Sequence, residues 1–383
     1  MNKKNTRQLV ETPEDRMVYF EEMLKQLCTD LGPHPSGTRA YEKACKIILK
    51  ELAKAAPVAF LDRYLDYWAV VPRYEILHEG TRLNVLVAEN CAGTSDAGFK
   101  GVIRKPKRGA SLYTIVDLET RKTAAYLTVS DEVNPKPLYL YGDDVLSLPT
   151  FVMGIKDVPF VELLVKDKAQ VEVRARVVYA PKVPTYNVVG TFPGRSKEEI
   201  LFVAHADSII QSEGANDNTA TAIVMLLLAH SFSGTRPRQT LTFLITGSEE
   251  YGLIGANHYV KRRVAEGTHK DLRFIVNHDS LTYGPNLWTS TDDDELMDLV
   301  KSIHTDLEMK TDPIYDETAC WMNDAAPFKG INNRLRGINF NSRGHDTLGA
   351  NHTPKDDSKQ VPRDCVETSY VVLRELIERL QEM

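Results

Sequence analysis

Leu201–Asn218 reads LFVAHADSIIQSEGANDN, and further on Leu241–Gly252 reads LTFLITGSEEYG. Each stretch opens as a short, wholly apolar run. Each ends abruptly in acids, and the first in a histidine as well. A buried parallel strand whose carboxyl end opens into a site has this texture, and in open α/β sheets ligands bind beyond the carboxyl ends of the strands. Two such strand ends would deliver His205, Asp207, Asp217, Glu249 and Glu250 to one edge of a sheet. Imidazole and carboxylate are groups that a zinc ion takes as ligands.

Working outward, the chain from Tyr186 keeps α/β texture. Strand-like runs at 186–194, 199–204, 239–246, 272–277 and 337–341 alternate with helical patterns at 219–231, 253–264, 294–307 and 366–383. Alternation of this kind predicts a mostly parallel sheet flanked by helices on both faces. Upstream, Thr12-Pro13-Glu14-Asp15 is a helix start, with a cap, a first-turn proline and acids for the dipole. That helix is expected to run to about Leu31, and a second from about Thr38 to Ala55. Between Tyr64 and Val183 the texture is different: LNVLVAE, SLYTIVDL, TAAYLTV, PLYLYG and QVEVRARVVYA are strand-like, with turn residues between them and few helix signals. The predicted organisation is therefore a discontinuous α/β domain, 1–63 with 184–383, interrupted by an inserted β-rich domain, 64–183. The insert holds one histidine, His78, and is expected to serve as a lid or interaction module without chemistry of its own, restricting the size of substrate.

Composition narrows the function classes. The chain has 383 residues, a formal net charge of -6, 42% hydrophobic residues and 26% charged ones, which is ordinary for a soluble globular protein. There is no basic footprint for nucleic acid, and no apolar run approaches a membrane span. Neither partner is expected, while a homo-oligomer is compatible with this composition. Five scattered cysteines (28, 45, 91, 320 and 365) without paired spacing suggest reduced thiols. A charged N-terminus without an apolar core gives no sign of a signal peptide. Together these point to a cytoplasmic location.

Histidine and acids recur at the predicted strand ends: His205-Ala-Asp207, Asp217, Glu249-Glu250, Asp279 and, past the last strand, His352. Any one of these groups is unremarkable. As a set, two histidines and three carboxylates form the ligand inventory of a two-metal hydrolytic site, in which a carboxylate is shared between ions about 3.5–4 Å apart, and one glutamate is left over as a base.

HADS, GANDN, TGSEEYGLIGA, NHDS and NHTPKDD, in that order, resemble the motifs of the M28 family of zinc exopeptidases, over about 31–53 and from 186 onward. The insert resembles, more diffusely, a protease-associated domain. The resemblance implies the zinc-exopeptidase type of fold and two zinc ions per chain, with His205 and Asp279 on one, Glu250 and His352 on the other, and Asp217 between them. It further implies Glu249 as general base, Asp207 orienting His205, and a cis peptide bond at Asp217–Asn218. Asn323-Asp324-Ala-Ala-Pro-Phe328 resembles a segment lining the substrate side, which makes Asp324 and Phe328 candidates for substrate contact. The sequence departs from the family pattern at Asn351, where a tyrosine is usual, at Thr219–Ala222, and at Glu213.

The implied activity is that of an aminopeptidase acting on peptides. A carboxypeptidase or dipeptidase stands beside it, because Arg343 follows the last strand and an arginine there could clamp a substrate carboxylate. A single-zinc cyclase and a metal-free binding module are the remaining alternatives, and the complete ligand set speaks against both.

Overall fold

The structure, a computed structural model, describes residues 6–88, 91–105, 112–130, 133–136, 138, 148–318, 321, 323–343 and 350–383. The chain forms two compact units, Met1–Asp66 with Pro184–Met383, and Tyr67–Val183. The strands that build the larger unit are β1 (Val58–His78), β2 (Gln170–Phe192), β3 (Glu199–His205), β4 (Thr240–Thr246), β5 (Leu272–His278), β6 (Asn286–Ser290), β7 (Ile314–Asp316) and β8 (Arg336–Arg343); β1 and β2 continue past the unit boundaries.

In this unit the sheet order is β7-β6-β8-β5-β3-β4-β2. The four central strands β8, β5, β3 and β4 are mutually parallel, while β2 runs antiparallel to β4 and β6 antiparallel to β8. After β3 the chain lays β4 on one side of it and β5 on the other. The connections thus reverse direction at β3, and the crevice beyond the carboxyl end of such a strand is where open sheets bind ligands. All seven residues of β3 are buried, and they alternate between faces as a strand must. Ile200, Phe202 and Ala204 join one apolar layer, Leu201 and Val203 the other.

Five helices supply the first layer: α1 (Pro13–Leu24), α2 (Arg39–Ala55), α3 (Ala220–Ser231), α5 (Asp294–Asp306) and α6 (Arg363–Leu380). On the second face α4 (Ile254–Ala265) packs Tyr259 and Val260 against Leu201, Leu244 and Ile275. Local chemistry sets the helix starts. Thr12 and Asp15 form a reciprocal capping box ahead of α1, with Pro13 at its first position. Thr38 and Asp293 accept from Tyr41 N–H and Leu296 N–H ahead of α2 and α5. Every residue of α3 is buried, as expected of a helix apolar on all sides.

The smaller unit is β-rich. Its described residues include strands Val85–Val87, Phe99–Arg104, Leu112–Asp117, Thr123–Val129 and Thr150–Met153 and an α-helix, Val158–Asp167. Pairing is antiparallel except between Thr123–Val129 and Thr150–Met153, over a core that includes Ile103, Ile115, Leu127, Phe151, Val161 and Leu164.

Two expectations need adjusting. The first helix ends at Leu24 and passes into a wide π-helical turn at Lys25–Thr29. The run at Tyr186 is the end of the long strand β2 rather than a strand of its own. The expected strand PLYLYG, 137–142, lies largely outside the described residues. Among the described residues no helix is long and apolar enough to cross a membrane.

His304 of α5 offers a test of the packing. It is buried at 6% exposure, its Nδ1 lies 2.7 Å from the Tyr315 hydroxyl, and burial lowers its imidazole from the ordinary value to about 4. An unfolded chain protonates it near 6.5. Between those values the unfolded state holds the extra proton, so stability is lost as pH falls from about 6.5 toward 4. Urea unfolding of His304→Asn should be flatter than wild type over that window. The wild-type excess loss between pH 7 and pH 5 should be on the order of 1–2 kcal/mol, and parallel curves would show that the imidazole stays solvated.

Candidate metal centre

Three strand ends meet at the reversal. His205 closes β3 and lies in register with Thr246 at the end of β4. The turn Gly247–Ser248 then carries Glu249 and Glu250. Beyond β5, Asp279 donates its N–H to Phe340 O of β8 at 3.0 Å.

The loop holding Asp217 needs more fastening than a strand end. Gly214 has φ +59°, and a Cβ there would stand 2.6 Å from both Asp217 O and Ser208 Cβ, so glycine is required by conformation and by space. Asp356 accepts from Asn216 N–H at 2.8 Å, Asn216 Nδ2 at 2.9 Å and Asp217 N–H at 3.1 Å. Asn218 Nδ2 donates to His278 O at 3.2 Å, and its Oδ1 accepts Ser280 N–H at 3.0 Å. The Asp217–Asn218 peptide bond is cis.

With these anchors in place the side chains converge. Asp217 turns Oδ1 to His205 Nε2 at 3.2 Å and Oδ2 to His352 Nε2 at 3.1 Å. Glu250 Oε2 is also 3.1 Å from His352 Nε2, and Asp279 Oδ1 is 3.9 Å from His205 Nε2. Two trios result, His205–Asp217–Asp279 and Asp217–Glu250–His352, each with ligand atoms within 4.8 Å of one another and both sharing Asp217. Glu249 belongs to neither trio. Its Oε2 lies 3.9 Å from His205 Nε2, and its N–H donates to Asp207 Oδ1 at 3.2 Å. Asp207 meets His205 mainly through its backbone: Nδ1 lies 3.1 Å from the Asp207 carbonyl oxygen and 3.6 Å from the carboxylate.

The electrostatics are those of a crowded anionic pocket. Burial raises Glu249 well above the ordinary carboxylate range, with Asp324 and Asp279 adding to the rise against His205. Burial likewise lifts Glu250 to about 7 and Asp324 to about 7. Burial would lower His352, yet Glu250 and Asp217 carry it up to about 11. His205 behaves similarly: against burial, Glu249, Asp207 and Asp217 raise it well above its ordinary value. Burial would raise Asp217, but the two imidazoles hold it low. Oε1 of Glu250 and Oδ2 of Asp207 are buried without a hydrogen-bond partner. Nitrogen and oxygen donors around an excess of negative charge, with an oxygen of the ligand Glu250 lacking a partner, fit divalent metal ions.

The other sequence candidates fall in different places. Asp324 is buried beside the cluster, its Oδ2 accepting from Thr246 Oγ1 at 2.5 Å while Oδ1 has no partner. Phe328 is not brought to the cluster. It is fully buried with Ala325 and Tyr259 in the apolar layer under α4, where it packs the segment that carries Asp324. Arg343 lies half-buried with its guanidinium 4.5 Å above the Trp288 ring, donating to Asn341 Oδ1 and Ser342 O. Sequence reasoning missed the supports. Asp356 sits inside the quoted NHTPKDD and Asn323 inside NDAAPF, but nothing local signals that Asp356 holds the Asp217 loop or that Asn323 Nδ2 donates to Asp279.

Residues 187–377 match the profile of Peptidase family M28. Leupeptin-inactivating enzyme 1 of Streptomyces exfoliatus is 29% identical over 157 residues, which are 40% of this chain and 35% of that protein. Aminopeptidase YwaD of Bacillus subtilis is 25% identical over 265 residues, 62% of this chain and 56% of that protein. The matched stretch is thus about a third to just over half of the length of these two curated relatives. Among solved structures, BSAP, a zinc aminopeptidase from Bacillus subtilis, superposes with a TM-score of 0.74 over 95% of this chain and 94% of that one. At 18% identity this is a likeness of fold.

Asp356 should be the least replaceable of the supports. Asp356→Ala would leave three buried donors unsatisfied, each costing about 1–3 kcal/mol, and would release the shared carboxylate. The expected result is a lower melting temperature together with weaker retention of divalent metal on dialysis. Unchanged metal retention would mean that the loop keeps Asp217 in place without it.

Proposed function

This chain belongs to peptidase family M28, and on that premise we propose that it is a zinc-dependent aminopeptidase, removing N-terminal residues from peptides with two zinc ions per chain. The observation that carries the reading is the pair of trios sharing Asp217. His205 and Asp279 would hold one ion, Glu250 and His352 the other, with Asp217 common to both. Bound there, zinc supplies Lewis acidity toward the scissile carbonyl and makes water more acidic.

The chain's own groups do the rest. Glu249, outside both trios and raised by burial, takes the proton of the attacking water and returns it to the departing amine, the dual role of a positioned carboxyl. Asp207 fixes the Glu249 amide and, through its carbonyl, the ring of His205, as partners behind metal ligands do. Asp324 and Arg343 are the side chains we assign to the substrate. The smaller unit is read as a protease-associated type of module. A reducing, cytoplasmic setting is supported by the described cysteines, Cys28, Cys45, Cys91 and Cys365, all buried free thiols.

A second reading, cleavage directed by a free carboxylate, is favoured by Arg343, whose described acceptors are an amide and a carbonyl oxygen rather than a carboxylate. Aminoacyl amides, which have an amine and no carboxylate, should be turned over, and N-acetylated peptides should not. The reverse pattern would favour the carboxypeptidase reading.

Glu249 and Glu250 separate the two roles. Glu249→Gln keeps the shape and removes the base, so it should retain zinc and lose about 10²–10⁴-fold in turnover. Glu250→Gln removes an anionic ligand, so it should hold less zinc and melt lower, with added zinc partly restoring the melting temperature. Zinc content, melting temperature and turnover, measured on both, decide it: loss of zinc from Glu249→Gln and not from Glu250→Gln would swap the assignments.

A further inference from the structure

The turn that carries Glu249 is fastened by a buried polar cluster outside the ligand set. Ser248, between Gly247 and Glu249, has φ +56°, a left-handed conformation that a residue with a Cβ adopts at a cost and keeps only when its surroundings impose it. Its hydroxyl oxygen lies 2.5 Å from Asp66 Oδ2, 2.7 Å from Ser36 Oγ and 3.0 Å from the Tyr64 hydroxyl. Ser36 Oγ is in turn 2.7 Å from Thr185 Oγ1. All five residues are buried, Asp66 at 3% exposure and Ser248 at 0%.

The proton count orders this cluster. A serine hydroxyl has one proton, and an ionised carboxylate only accepts. Ser248 Oγ donates to Asp66 Oδ2 at 2.5 Å, with Ser36 Oγ a second acceptor in its reach at 2.7 Å and the Tyr64 hydroxyl beside it at 3.0 Å. Asp66 Oδ2 makes the shortest of these contacts, at 2.5 Å, so Asp66 is the dominant restraint on the Ser248 side chain. The backbone on either side is held separately. The Tyr41 hydroxyl donates to Thr246 O at 3.0 Å, Asn187 Oδ1 accepts Gly247 N–H at 3.2 Å, and Asp207 accepts Glu249 N–H at 3.2 Å. Space is as tight as the bonding: a Cβ on Gly247 would stand 2.2 Å from the Tyr41 hydroxyl.

We propose that Asp66 is a positioning residue for Glu249, acting through Ser248. The Asp66–Ser248 bond holds residue 248 left-handed, and that backbone conformation aims the following carboxylate past His205 rather than into a metal trio. The inference rests on the reading of Glu249 as the base. Asp66 acts through Ser248, which belongs to neither trio, so its loss is expected to act on geometry and not on metal binding.

The test uses the full chain loaded with zinc, as wild type, Asp66→Ala, Asp66→Asn, Ser248→Gly and the double variant Asp66→Ala/Ser248→Gly. Turnover of an aminoacyl amide, zinc content and amide hydrogen exchange over residues 246–250 are measured on each. Asp66→Ala and Ser248→Gly should each lose about 10–100-fold in kcat, the scale of a base displaced by about 1 Å. Their KM should stay within about threefold of wild type, as for an interaction made only in the transition state, with zinc unchanged. Asp66→Asn, whose amide oxygen still accepts, should recover most of the loss. The double variant should be no slower than the worse single one, because both remove one bond. Exchange at 247–249 should quicken in Asp66→Ala while the amides of α3 keep their protection. Wild-type kcat in Ser248→Gly, additive losses, or unchanged exchange at 247–249 would each overturn the proposal. Should Asp66→Ala fail to fold, Ser248→Gly and Asp66→Asn decide it. A wild type inert toward every amide would sink the peptidase reading instead, and the exchange comparison would still decide whether Asp66 fastens the turn.

Discussion

Six carboxyl groups, those of Asp207, Asp217, Glu249, Glu250, Asp279 and Asp324, close around two imidazoles at the edge of one sheet, each of them buried or half-buried. At an effective dielectric near 20, two unit charges 4 Å apart interact by about 4 kcal/mol. A fold cannot hold several such repulsions together without protons or cations to offset them. In the chain alone the compensation takes the direction of added protons: burial raises Glu249, Glu250, Asp279 and Asp324, the two imidazoles hold Asp217 low, and both imidazoles are themselves raised by the surrounding carboxylates. Much of the surrounding structure acts to stop these groups from moving apart. Asp356 ties the Asp217 loop, Thr246 bonds Asp324, and Asn323 bonds Asp279. Divalent metal would replace the protons, and the same restraints would then act as preorganisation.

The parts that sequence made legible are those with a local signal. The apolar run of β3 ending in His205 announces a buried strand with a site at its end, and β3 proves to be the strand at which the sheet reverses. Helix starts with a side-chain cap, at Thr12 and Thr38, were readable because capping is settled within a few residues. The supports were not legible, and the reason is distance along the chain. Asp356 bonds Asp217 across 139 residues, and Ser248 bonds Asp66 across 182. In sequence Asp66 is one acid among many in a strand-like run. It has no periodicity or spacing to mark it, and only the fold brings it beside the Glu249 turn. Phe328 shows the converse error. The motif around it was readable, but placing it toward substrate needed the direction of its side chain, which points into the apolar layer under α4.

The crossing at β3 also explains why so few elements suffice. Parallel strands end at one edge, so residues from the last position of β3 to four positions past β4 are brought together without long loops. His205, Glu249 with Glu250, and Asp279 need only strand ends and tight turns. Asp217 and His352 arrive on longer loops and carry more of the unusual backbone: Gly214 at φ +59° and His352 at φ +56°. Positive φ among residues with a Cβ recurs around this edge, at Ser248, Leu253 and Ser280. Such conformations persist where neighbouring contacts over-determine them, and here the neighbours are the hydroxyl and amide groups that fasten the loops.

Glu249 and Glu250 show what this fastening achieves. They are adjacent, equally charged, and sit in the same crowded pocket, yet Glu250 Oε2 faces His352 at 3.1 Å while Glu249 Oε2 stands 3.9 Å from His205. Chain position alone does not separate them, and neither does burial, because burial raises both. The difference is made at Ser248, where a left-handed residue sets the direction of the next carboxylate, and at Asp207, which holds the Glu249 amide. In the proposed function a ligand must stay still while a base must face a water. Two identical side chains take those two duties because the backbone beneath them is held in a conformation that neither would choose alone.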